Sequence, residues 1–423
     1  MPYTIGLDTR NIKDPGIGSY VRHLVRALAQ VDAENRYVLL ARHQDRDAWH
    51  DLPSNFQPVF EGAPVYSLRE LSALSWRLLR LRVDVYHSTH YVLPAVLHSP
   101  VVVTIQDIVH LFYPDFLPSR FAFLYAQRMI HRTLSRADRI IAVTQGIRAD
   151  LIEGFDVDGA KVQVVYNGVA EPFRRKLPPE ELDRWRRDLG LQGPYLLFVG
   201  NPNPRKNLDT VVQAYARARE LGGFDAPLVC IGDRAGSEFK IRQRAANFGI
   251  SGQVRLLGKV APEALPAIYQ GATLFLYPTL YEGFGLPVIE AMASGVPVIT
   301  SNTSALREIG EGYAHLVNPL EVEALARAIA QLMADEHHRA SLAELGLRRA
   351  REFSWDRTAR RTLAVYKSVL EGTPIASLSA SGTWPVPKLE QSPSGTYKVT
   401  PRPPPASAPA PPARSDGSGT PRS

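Results

Sequence analysis

Residues 281–295 read YEGFGLPVIEAMASG, and PVIT follows at 297–300. Glycines crowd the first half of this stretch, apolar residues at helical spacing fill the second, and a β-branched run comes next. That order predicts a loop, a helix and a buried strand in succession. Pro287 suits the first position of the helix, where its missing N–H costs nothing. The amides of Gly285, Leu286, Val288 and Ile289 then crown a helix N-terminus, which attracts phosphate. Glu282 falls in the loop and Glu290 about one turn into the helix. The two carboxylates therefore grip different parts of one ligand instead of forming an acid and base pair. Gly283 and Gly285 let the backbone come close to it. A sugar joined to a diphosphate is what this combination suits. The plain alternative is a turn followed by a glutamate that complements the helix dipole.

Working outward, short apolar runs alternate with amphipathic stretches. YTIGLD, YVLLA, VDVYHS, PVVVTIQD, RIIAVT and VQVVYN mark strands within residues 1–170, with helices from Ser19 and over 120–137 between them. The rhythm restarts at YLLFVG and runs through PLVCIGD, VRLLGKV, TLFLYP, PVITSN and AHLVNP within 195–354. This is an α/β pattern, two tandem doubly wound, Rossmann-like domains whose parallel sheets carry helices on both faces. Residues 171–194 read as a linker with one short helix, 355–371 as a closing helix, and 372–423 as a tail. Twelve of the chain's 34 prolines lie from residue 373 onward among Ser, Gly and Ala, too few bulky apolar groups to offset ordering entropy, so the tail is expected to be disordered. Open parallel sheets bind ligands at the carboxyl ends of their strands, so two facing sheets place a cleft between the domains.

The remaining candidates all follow predicted strands. In NPNPRKNL, Arg205 and Lys206 sit side by side where a diphosphate would lie opposite the EGFGLP helix, and Asn207 is placed to cap the helix that starts at Leu208. Gly16 and Gly18 in DPGIGSYVRHL open a helix after the first strand. With no third glycine in register and no ribose-binding acid, they do not make a dinucleotide fingerprint, which argues against hydride transfer. His87 and His90 in YHSTHYVLP, with Gln106 and Asp107 in TIQDIVH, gather at one sheet edge as a lining for sugar hydroxyls. Asp156 and Asp158 spell a metal-chelating pattern, but Gly159 and the helix-to-strand position read as a turn, and no metal is expected.

Hydrophobic content of 45% and charged content of 22% fit a globular protein long enough, at 423 residues, for two domains. The N-terminus shows no basic and apolar leader and no run spans a bilayer, so a cytoplasmic protein is expected, with peripheral contact at the inner membrane face as an option. Cys230 stands alone, which excludes an internal disulfide and a cysteine-rich metal site. The +7 net charge suits a phosphate-bearing ligand or an anionic membrane. No recognition motif or aromatic signature accompanies it, and no nucleic-acid partner is expected. The arginine-bearing stripes within 68–82 and 120–136 can cover a sheet or rest on anionic lipid.

Together these residues resemble the retaining glycosyltransferases of family 4, which have the GT-B fold. The likeness runs from about residue 3 to about 371 through GIGSY, VDVYHSTHYVLP, VVVTIQD, VGNPNPRKN, LYEGFGLPVIEAMASGVPVIT and FSWDRTA. It implies that Glu282 and the amides of Gly283, Phe284 and Gly285 hold a donor sugar, with Leu286 among the donor-binding residues, that Glu290 holds the nucleotide ribose, and that Arg205 and Lys206 bind the diphosphate. Gly16 and Gly18 match a glycine loop near acceptor and phosphate, and the helix from Trp355 crosses back to brace the first domain. Many relatives have a histidine where this chain has Gln106, which hydrogen-bonds a hydroxyl but carries no proton. The resemblance implies a nucleotide-sugar donor, GDP-mannose favoured over UDP-sugars, a glycan or lipid-linked saccharide acceptor, and no cofactor. Two rival readings are a non-catalytic nucleotide-sugar binder of the same fold and a hydrolase or epimerase that consumes donor without acceptor.

Overall fold

The computed structural model describes residues 2–14, 16–63, 65, 67–108, 119–232, 238–372, 388–391 and 397–400. Seven parallel strands form the first sheet: β1 (Thr4–Asp8), β2 (Arg36–Ala41), β3 (Phe56–Phe60), β4 (Val85–Ser88), β5 (Val101–Ile105), β6 (Arg139–Ala142) and β7 (Val162–Val164). Their order is β3-β2-β1-β4-β5-β6-β7. Six more form the second: β8 (Leu196–Val199), β9 (Leu228–Ile231), β10 (Val254–Gly258), β11 (Leu274–Tyr277), β12 (Val298–Ser301) and β13 (His315–Val317), ordered β10-β9-β8-β11-β12-β13. Both sheets thus have a switch point, between β1 and β4 and between β8 and β11. Loops leave such a point in opposite directions and open a crevice there. Their middle strands are buried on both faces, which is why they read as near-continuous apolar runs such as VVVTI and LFLY.

The closing helix Trp355–Leu370 returns to the first domain. Its N-cap Ser354 accepts from the Arg357 amide at 3.2 Å. Trp355, Ala359, Val365 and Tyr366 join one apolar cluster with Ile5, Tyr20 and Val85, and the His23 ring stacks on Trp355 at 5.1 Å. Segment 171–194 holds two helices, Glu171–Arg174 and Pro179–Asp188, where one was expected; Pro179 starts the second, its ring preset for a first helical turn. Of the tail, Lys388–Gln391 and Tyr397–Thr400 pair antiparallel, and apart from Gly372 the rest lies outside the described residues. Among the described residues no helix is long and apolar enough to cross a membrane.

Candidate active site

The helix announced by the EGFGLP stretch runs from Leu286 to Ala293, one residue earlier than Pro287 would place it. Gly285 precedes it with φ 100°, in the left-handed region that disfavours a side chain, and a Cβ there would meet Leu306 at 2.4 Å. The backbone conformation is what requires glycine, since the Leu306 side-chain tip could shift. Among the described residues nothing accepts from the amides of Phe284, Gly285 or Leu286, so the helix start keeps open donors. The Phe284 side chain itself faces inward, edge-on to Phe353 at 5.8 Å.

Across the switch point, the turn after β8 brings its cations to this helix. Lys206 Nζ donates to Glu282 Oε1 at 2.7 Å and also to the Tyr277 hydroxyl. Tyr277 ends β11 and donates to the same carboxylate at 3.3 Å. Burial would raise the Glu282 pKa, but Lys206 and Arg205 outweigh it and hold the group below the ordinary carboxylate range. It remains an acceptor of hydrogen bonds. Arg205 reaches out of its own domain and pairs with Asp107, at the end of β5. Burial opposes its charge, yet Glu282 and Asp107 raise its pKa further above the usual value. Glu290, half-buried, accepts from the Tyr269 hydroxyl at 3.1 Å, and burial pushes its pKa up to about 7.

The cap expected of Asn207 is absent. Asn203 instead accepts from the Lys206 amide at 3.1 Å, while Asn207, at φ 58°, donates to the carbonyls of Pro278 and Pro319 at 2.9 and 2.7 Å. Its role is to tie the cationic turn to the loops after β11 and β13.

On the facing sheet the structure corrects part of the expected lining. His87 is fully buried, its Nδ1 2.6 Å from the Tyr366 hydroxyl and its Nε2 2.7 Å from Thr104. Burial drops its pKa to about 3, so it is a neutral link between β4, β5 and the closing helix instead of a sugar contact. His90, 2% exposed, lies 3.3 Å from Glu70 in a buried cluster where Arg10 donates to Asp8 and Glu70 at 2.5 and 2.6 Å. Asp8, Glu70 and His90 offer ligand atoms within 4.8 Å of one another, but the Arg10 guanidinium already pairs with both carboxylates. Gly18 spends its amide on the Asp14 carbonyl at 2.9 Å, and a Cβ on it would fall 2.1 Å from the Ile12 carbonyl oxygen. Packing demands that glycine, and its amide is not offered to phosphate. Gly16, exposed at φ 85°, precedes the helix Ile17–Val31.

Gln106 and Asp107 do stand at the cleft, half-buried. Gln106 Oε1 accepts from Asn167 at 3.1 Å, and its carbonyl lies where a Cβ on Gly283 would come within 1.9 Å. Several contacts across the cleft were not anticipated. Tyr281 donates to Asp150 at 2.7 Å, Thr144 donates to the Gly283 carbonyl at 3.0 Å, and Glu308 accepts the amides of Gln145 and Gly146 at 3.1 Å each. The last puts a carboxylate on the first turn of the helix Gln145–Phe155, a favourable end for it. A strand-terminal tyrosine such as Tyr277 was the one readable signal; the other partners lie more than 100 residues apart in sequence. Asp156, at φ 53°, ends that helix, and Asp158 accepts from the Ala160 amide at 2.9 Å, both as turn residues.

Two family models divide the chain at the same place as the sheets. Residues 16–171 match Glycosyltransferase Family 4, and residues 180–349 match Glycosyl transferases group 1. The chain belongs to the family 4, group 1 glycosyltransferases. It is similar to the O-antigen chain mannosyltransferase B of Escherichia coli, with 30% identity over 303 residues, 71% of this chain and 79% of that one. It is also similar to the D-inositol 3-phosphate glycosyltransferase of Salinispora tropica, with 34% identity over 253 residues, 56% of this chain and 52% of that one. Anabaena HepE in complex with UDP and glucose shares the two-domain GT-B fold, with a TM-score of 0.69 at 18% identity over 86% of this chain and 100% of that one.

Proposed function

We propose that this glycosyltransferase moves a hexosyl group, mannosyl before others, from a nucleoside diphosphate sugar such as GDP-mannose to a glycan or lipid-linked acceptor of the cell envelope, with retention and without a metal. The observation that carries the reading is the convergence of Lys206, Arg205 and the open helix start at Leu286 on one side of the cleft. Two cations and a row of amides suit a diphosphate whose charge grows as it leaves. Relatives named as mannosyltransferases support the sugar.

In this reading Glu282, kept ionised by Lys206 and Arg205, accepts hydrogen bonds from donor-sugar hydroxyls and cannot protonate the leaving group. The departing diphosphate oxygen itself takes the acceptor's proton on the face it leaves, which preserves the anomeric configuration. Glu290 takes the ribose diol, and Gln106 meets a sugar hydroxyl from the facing domain. Closure of the domains excludes water and limits donor hydrolysis.

The test is a thermal-shift and saturation-transfer screen against GDP, UDP, ADP and their sugars, repeated with Glu290→Ala and Lys206→Ala. A response to one nucleotide, abolished by both substitutions, is expected. Turnover should persist in chelator, and absence of any nucleotide response would sink the reading.

A further inference from the structure

Five of the nine large apolar side chains that stand exposed among the described residues lie on one side of the first domain. Trp76 and Leu79 ride the helix Leu68–Leu81, Phe121 and Leu124 the helix Arg120–Arg136, and Val96 the segment between them. Phe121 is 85% exposed, more than any of the other eight. The pieces form one surface because the intervening segment is tied to both helices. The Val96 amide donates to Ser75 Oγ at 3.0 Å, and Arg132 donates to the carbonyls of Leu93, Pro94 and Ala95 at 2.9, 2.7 and 2.8 Å.

On this face the exposed apolar side chains coincide with arginines that no acid offsets among the described residues. Elsewhere some exposed arginines have acids beside them, as in Arg217–Glu323, Arg242–Glu238, Arg348–Glu344 and Arg360–Asp356, and others, such as Arg46, Arg187 and Arg357, have none among the described residues. Here Arg69, Arg80, Arg120 and Arg128 are exposed, and among the described residues none of them has an acidic partner. The one acid on the two helices, Glu70, is fully buried against Arg10. Arg80 lies over the Trp76 ring at 3.6 Å, so a cation and an aromatic plane share one exposed position. Residues 69, 72, 76 and 79 fall on one stripe of the first helix, and 121, 124 and 128 on one stripe of the second.

We propose that this face docks on an anionic lipid surface, with Trp76, Leu79, Phe121 and Leu124 entering the interface and the arginines meeting phosphate headgroups. Singly protruding aromatic and aliphatic side chains among arginines with no acidic partner among the described residues match an interface that is apolar on one side and negatively charged on the other. The buried side of the Trp76 helix carries Glu70 to the cluster around Arg10, which follows β1 at the carboxyl edge of the first sheet. The lipid-facing surface therefore adjoins the first domain's wall of the cleft, the side from which a lipid-linked acceptor would arrive. The proposal stands apart from the transfer reading, since its test reads vesicle binding alone.

The experiment sediments the full chain with vesicles of phosphatidylglycerol and phosphatidylcholine, and with phosphatidylcholine alone, at low and high salt. Binding to the anionic vesicles only, weakened by salt, is expected. Arg69→Gln and Arg80→Gln should each cut partitioning about fivefold, and Trp76→Ser or Phe121→Ser about tenfold or more. Brominated acyl chains should quench tryptophan fluorescence in the wild type and fail to do so in Trp76→Phe. Unchanged melting temperatures in these variants confirm that the fold is intact. Absence of binding to anionic vesicles at low salt, or binding that all four substitutions leave intact, overturns the proposal. So does a sedimentation-velocity mass that falls from dimer to monomer in Trp76→Ser, which assigns the face to a second copy of the chain.

Discussion

Lys206 Nζ lies 2.7 Å from Glu282 Oε1, joining the turn after β8 to the loop after β11 directly over the second sheet's switch point. Both side chains are largely buried, so the pair works in surroundings where charge is poorly screened. Removing the cation leaves Glu282 with Arg205 alone to offset its charge and, in the proposed reaction, the leaving diphosphate without a preorganised donor. Lys206→Ala is expected to lower kcat about a hundredfold or more, with a similar loss for Arg205→Ala, as measured in steady-state transfer assays. Wild-type turnover in Lys206→Ala would rule out the assignment.

Glu290 gives a dependence on pH. Burial lifts its pKa to about 7, so it is largely protonated at pH 6 and largely ionised at pH 8. In the proposed site the ionised carboxylate would accept both hydroxyls of a ribose diol, and nucleotide affinity should therefore rise through this window. Glu290→Gln should bind more weakly at pH 8 and show a flat profile, read by titration calorimetry. The stability sign is opposite. With its folded pKa above its unfolded value, Glu290 holds a proton in the folded state that it loses on unfolding between pH 4.5 and 7. Its contribution is therefore present at low pH and is lost as pH rises through this range.

Tyr281 and Asp150, 1% and 3% exposed, form a hydrogen bond between the domains at 2.7 Å. Tyr281→Phe leaves a buried carboxylate short of a donor and should cost about 1–3 kcal/mol of stability. Hydrogen exchange should quicken in the helices Gln145–Phe155 and Ser304–Gly310, which meet at the Glu308 contact. Exchange identical to wild type would show that the bond does not hold the domains together.

Gly283 tests the fit of the cleft. A Cβ there would fall 1.9 Å from the Gln106 carbonyl oxygen, a backbone atom that cannot swing away. Gly283→Ala should therefore open the domains, seen as a larger radius of gyration in solution scattering, and lower turnover more than nucleotide affinity. An unchanged radius together with full turnover would contradict this packing.

His87→Gln separates structure from catalysis. Because both ring nitrogens are held by Tyr366 and Thr104, the substitution should lower stability by about 1–3 kcal/mol and leave kcat at saturating donor within about twofold. A large fall in kcat in a well-folded variant would return His87 to the sugar site.

Much of the site was legible because the signals are local. Gly285 and the apolar spacing after it fix a helix start within a few residues, and Arg205 and Lys206 lie in the short turn that follows the strand run LLFV. His87 and His90 were misread because a histidine at a strand end looks the same in sequence whether its ring faces a cleft or a core. Tyr366, which claims His87, lies 279 residues away. Gly18 was misread for the same reason, since a free amide and one given to Asp14 spell the same letter.

The sequence by itself determined the two α/β units, the cationic turn and the glycine-led helix start, since backbone propensity, glycine conformation and charge act over a few neighbouring residues. Only the tertiary structure decided which polar groups are left for a ligand: it gave Lys206 to Glu282, Arg205 to Asp107 and Glu308 to the helix at Gln145. Those partners are set by how two sheets face each other, and a hydrogen bond reaches only about 3 Å, so chain distance carries no trace of it.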